Sequence, residues 1–94
     1  MNTKKIETLI GFAIKSRKIV FGEDFIKKSK NTSLVLVDKN SSEKYKERIK
    51  RFAKGTQVVE LDNLESLTHR ENVHSLAILD SNLANGIKQE IENI

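Results

Sequence analysis

The chain contains no cysteine and no proline. The first absence excludes disulfides, thiolate nucleophiles and cysteine-ligated zinc, so stability has to come from packing alone. With no proline, no low-complexity tract and no internal repeat, neither a linker nor a domain boundary is visible. No apolar run approaches the roughly 20 residues needed to cross a bilayer. The opening "MNTKKIETLI" has neither a long apolar core nor a small-residue cleavage site, and the expectation is a soluble protein of the cytoplasm. At 94 residues the chain makes one domain with a modest core.

The chemistry of common catalytic sites is missing as well. The four glycines, Gly11, Gly22, Gly55 and Gly86, are scattered, which rules out a glycine-rich nucleotide loop. His69 and His74 stand five apart without cysteine, unlike a helical zinc pair. No serine lies in a Gly-x-Ser-x-Gly elbow, and the serines read as caps and turns. Adjacent acids at Glu23 and Asp24 suit the first turn of a helix better than an acid/base pair. These absences make binding, rather than catalysis, the expectation, with no metal and no cofactor.

What the chain does have is charge, unevenly spread. Residues 1–54 carry 15 Lys/Arg against 6 Asp/Glu, whereas residues 55–94 carry 2 against 7. Lysines clustered on one face bind polyanions by releasing counterions. A solvated lysine-rich surface has the same composition. The acidic half argues against a protein coated by nucleic acid on all sides.

Periodicity supplies the elements. Ile6, Leu9, Ile10 and Ala13 share one face of a helix over residues 3–15. "KIV" is a short strand, stopped by Gly22 before a second helix expected to carry Phe25 and Ile26 inward. "SLVLV", Ser33 to Val37, reads as a central strand covered on both faces. Asn40 with Glu43 forms a capping-box pattern ahead of a helix whose inner face is Tyr45, Ile49, Phe52 and Ala53, ended by Gly55. "QVVEL" is a third strand. Asp62 with Glu65 repeats the capping pattern before a short helix bearing Leu64 and Leu67, "HSLAIL" is a fourth strand, and a helix from about Ser81 buries Leu83, Ala84, Ile87 and Ile91. Such alternation predicts an α/β fold, a three-layer α/β/α sandwich with a central mixed sheet of about four strands.

Two basic regions stand out. The third helix holds Lys44, Lys46, Arg48, Lys50, Arg51 and Lys54, a pattern equally typical of a solvated face. Around Gly22, a helix start is flanked by Lys18, Lys27 and Lys28, which reach phosphates, and by Glu23 and Asp24, which accept hydrogen bonds from base amino groups. Together they suit an irregular RNA shape.

"LIGFAIKSRKIVFGED", Leu9 to Asp24, resembles the opening of bacterial YlxQ-type proteins, of the ribosomal L-seven-Ae and L-thirty-e family. "LVLVDKNSSEKYKERI" and "LAILDSNLANGIK" are similar to that family's later strands and helices, in the same order. The resemblance implies the L-thirty-e-like fold, RNA as partner, often kink-turn RNA, and association with the ribosome. Carried over by position, it implies contacts from Gly22, Glu23, Asp24 and Lys28, with Lys27 and Lys18 beside them, and from Arg70 in the loop "THRENV". Relatives usually have Leu-Gly where this chain has Leu64-Glu65. Archetypal kink-turn binders carry Asn-Glu where this chain has Asp24-Phe25, and an apolar ring does not substitute for a base-reading carboxylate. A protein-interaction module that keeps the fold without RNA is the alternative.

Overall fold

The computed structural model describes residues 2–92. Its elements alternate as α1 (Thr3–Lys15), β1 (Ile19–Phe21), α2 (Glu23–Lys28), β2 (Leu34–Asp38), α3 (Glu43–Phe52), β3 (Val58–Leu61), α4 (Leu64–Thr68), β4 (Ser75–Ile78) and α5 (Ser81–Glu92). The four strands form one mixed sheet in the order β1-β4-β2-β3. β4 runs antiparallel to both β1 and β2, and β2 runs parallel to β3. The two central strands are therefore the most apolar and most deeply buried ones, LVLVD and SLAI: all four residues of β4 and the first four of β2 are buried.

Alternation along these strands splits the core in two, because successive side chains leave opposite faces of a sheet. On one face Leu34, Leu36, Leu76 and Ile78 pack with Ile6, Ile10 and Ala13 of α1, Leu64 and Leu67 of α4, and Ala84 and Ile87 of α5. On the other, Val35, Val37 and Ala77 pack with Ile26 of α2, with Ile49 of α3 and with Ala53 at the end of α3. Each wholly buried Leu or Ile contributes on the order of 1.5–3 kcal/mol, so neither cluster is dispensable. The result is the expected three-layer sandwich, with α1, α4 and α5 on one side and α2 and α3 on the other.

Three expectations about local detail do not hold. Phe25 does not point inward with Ile26: Ile26 is fully buried and Phe25 is 59% exposed. Neighbours on a helix differ by about 100°, and a six-residue helix with a narrow inner face seats only one of them. The cap of α3 is Ser42, whose hydroxyl accepts from the Tyr45 N–H, while Asn40 sits upstream in a turn, its N–H donating to Asp38 Oδ1 at 2.8 Å. Asp62 does not cap α4 either. That place is taken by Asn63 in the left-handed region (φ 60°), with no side-chain cap bond.

Candidate functional site

Because β1, β2 and β3 all run one way and β4 runs the other, one end of the sheet collects the turn after β1, the loops after β2 and β3, and the loop entering β4. Gly22 stands there. Its N–H donates to the Ser75 carbonyl at 3.0 Å, tying the start of α2 to the start of β4. Gly22 has φ +90° with nothing within 4 Å of an added Cβ, so the site demands glycine for its backbone and not for space. As the N-cap of α2 it offers no side-chain hydrogen bond to the first turn.

The loop of residues 69–74 approaches the same point. Arg70 lays its guanidinium over the Phe21 ring, 4.4 Å from the centroid, immediately before Gly22. Its backbone N–H donates to the Glu65 carbonyl, and the Asn72 N–H donates to Glu65 Oε2. Glu65 thus braces the loop through its carboxylate. His69 and Asn72 take positive φ, 56° and 60°, which lets the loop reverse within a few residues. His69 turns the other way and pairs with Glu7 at 3.0 Å.

The acids after Gly22 differ in environment. Glu23 Oε2 accepts from Arg48 Nε at 3.0 Å, which ties the start of α2 to α3. Arg48 also lies over the Tyr45 ring at 5.4 Å, and the Tyr45 hydroxyl is 2.6 Å from Ser75 Oγ. Burial raises the Tyr45 pKa, partly opposed by that Ser75 hydrogen bond. Glu23, Arg48, Tyr45 and Ser75 therefore form a continuous brace beneath the Gly22 turn. Asp24 is exposed and projects from the first turn.

The cations also separate. Lys27 lies over the Phe52 ring at 5.3 Å, and Lys28 is exposed at the end of α2. Lys18 is exposed at the opposite end of β1, where its carbonyl accepts from Leu79 N–H. At about 3.3 Å per residue, the strand sets the Lys18 backbone about 13 Å from Gly22. Lys46, which the sequence assigns to a solvated face, is buried, with Nζ 2.9 Å from Glu60 Oε1 and 3.5 Å from Glu43 Oε1. Of the α3 cations, Lys44, Lys50 and Arg51 remain exposed, as does Lys54 in the turn that follows.

The structure accordingly sets Gly22, Glu23, Asp24, Lys27 and Lys28 on one short segment and brings Arg70, from a loop nearly fifty positions away, onto Phe21 next to Gly22; Phe21 packs on the α1, α4 and α5 side of the sheet, Lys27 lies over Phe52 on the α2 and α3 side, and Lys18 stands at the far end of β1. The structure adds Arg48 and Tyr45, which the sequence marks only as a cation of the third helix and a member of its inner face, since their partners Glu23 and Ser75 lie 25 and 30 residues away. Beside this group, Asp38, Asn40, Asn63, Glu65, Ser66 and His74 line an open polar cavity of about 390 Å³. Among the described residues, no three His, Asp or Glu side chains converge as metal ligands do.

Fold and site together define a small α/β/α sandwich with its loops gathered at one end beside a cationic helix layer. The chain is similar in structure to a protein of unknown function from Bacillus halodurans C, with a TM-score of 0.84 at 17% identity over 94% of this chain and 97% of the other. That likeness shows the fold. No family model matches the chain, and no curated protein matches it. Among the described residues, no helix is long and apolar enough to cross a membrane.

Proposed function

We propose that the chain is a small non-catalytic RNA-binding protein of the cytoplasm, holding a structured RNA, ribosomal or kink-turn-like, against the Gly22 turn and the adjoining Arg70 loop. The observation that carries this reading is the Arg70 guanidinium on Phe21, directly beside the Gly22 turn. Stacked on the ring, the guanidinium keeps its N–H edge available for a phosphate or a base, the recognition geometry for which arginine is suited. Lys28 supplies a charge for the backbone, and Asp24 an acceptor for a base amino group. The sequence resemblance to the L-seven-Ae and L-thirty-e family supports the same two segments.

The test is titration of a kink-turn RNA and of bulk ribosomal RNA at low salt, followed by fluorescence anisotropy. Affinity should fall linearly in log–log coordinates as salt rises, and Lys28→Ala should weaken binding and reduce the slope by about 1. Failure of both RNAs at low salt overturns the reading. A cellular partner retained after nuclease treatment, held through Lys50, Arg51 and Lys54, favours the protein-interaction alternative instead.

A further inference from the structure

Among the described residues, two large apolar side chains are exposed, Phe12 at 54% and Phe25 at 59%. Phe12 belongs to α1, in the layer on the far side of the sheet from α2 and α3. Phe25 lies on α2, within the group that surrounds Gly22. Phe21 and Phe52 have their rings covered by Arg70 and Lys27, whereas no cation lies over the Phe25 ring among the described residues.

The neighbours of that ring follow from helical spacing. Three residues before it is Gly22, with no side chain, and three residues after it is Lys28, exposed. Positions three apart on a helix have Cβ atoms about 5–6 Å from each other, so an ammonium stands one side-chain length from the ring. Of the two acids of the first turn, Glu23 is paired with Arg48, and Asp24, next to Phe25 in the chain, is exposed. An open aromatic face with a lysine alongside matches a nucleotide: the base has a π-face to stack, and its phosphate carries the charge the lysine meets. A fully paired helix hides its base faces, so the occupant is unpaired.

We infer that Phe25 is a stacking platform for one unpaired base of the bound RNA, with Lys28 holding the adjacent phosphate. This rests on the RNA-binding reading and specifies it: recognition at this position is by stacking, independent of base identity, where a carboxylate would read a hydrogen-bonding edge. It accounts for a phenylalanine that the fold itself does not bury.

The test uses the full chain with two RNA probes, a hairpin with an unpaired loop and a fully paired duplex. Phe25→Ala should weaken hairpin binding roughly 5- to 150-fold, the range that base–aromatic stacking gives, and leave the salt slope unchanged. Duplex binding should change by less than about twofold. Phe25→Trp should restore hairpin affinity, and because the chain has no other tryptophan, its fluorescence should be quenched by the hairpin and not by the duplex. Since the ring is exposed, all variants should keep the thermal midpoint of the wild type. Hairpin binding by Phe25→Ala equal to wild type overturns the stacking role and leaves the RNA reading standing. Absence of any wild-type binding to either probe, or to ribosomal RNA, overturns both.

Discussion

Gly22 shows how much one residue's backbone can decide. Its φ of +90° is open only to glycine at low cost, and no neighbour lies within 4 Å of an added Cβ. Gly22→Val is therefore expected to destabilise by about 1–3 kcal/mol through the backbone alone, read as a lower denaturant midpoint with an unchanged m-value. Arg48 acts through a different route. The Glu23–Arg48 pair is a third or more exposed on both sides, so Arg48→Ala should cost no more than about 1 kcal/mol. It also frees a carboxylate at the Gly22 turn, which repels phosphate, so RNA affinity should fall more than that small loss of stability explains. An equal RNA affinity in the variant would mean that the Gly22 turn lies outside the interface. The pairing is not legible in the sequence, where Glu23 reads as a first-turn acid or a base acceptor and Arg48 as one cation of a basic helix. Phe25 was misread for a related reason, because an apolar pair on a short helix does not say which member faces the core.

At the scale of elements, the sequence was informative wherever periodicity ran long. The bounds of α1 follow from helical spacing sustained over its thirteen residues, while the strand character of β2 and β4 follows from short continuous apolar runs. Caps were less legible, since "DKNSSE" offers several residues able to accept a first-turn N–H, and the capping-box spacing favoured Asn40 where the fold uses Ser42. The two assignments separate experimentally. Ser42→Ala should cost about 1 kcal/mol, and Asn40→Ala should stay within about 0.5 kcal/mol of wild type; chemical denaturation of both variants checks the order. α3 is also fixed to the sheet by Lys46, which the charge pattern placed in solvent. Its side chain crosses to Glu60 on the edge strand β3, an encounter between two elements that no local pattern encodes.

For the whole molecule, that crossing gives stability a dependence on pH. The hydrogen bond from Lys46, opposed by burial, lowers the Glu60 pKa; the hydrogen bond to Glu60 raises that of Lys46. A lowered carboxylate contributes fully above its ordinary value, and the contribution is lost as pH falls through the lowered one. A raised lysine contributes fully below its ordinary value and loses that contribution as pH rises through the raised one. Thermal midpoints should therefore decline on both an acid and an alkaline limb, and Lys46→Met should flatten both relative to its own value at neutral pH.

The strand order carries a consequence for synthesis. β1 emerges early, yet within the sheet it is hydrogen-bonded to β4 alone, and β4 separates it from β2. The Gly22 turn is thus anchored by residues more than fifty positions downstream, and a nascent chain has no finished turn to present until β4 leaves the ribosomal tunnel. Pairing over that separation also places the β1–β4 ladder among the slower steps of folding. A fragment comprising residues 1–73 should show no cooperative unfolding transition, and supplying the remainder as a separate peptide should restore one.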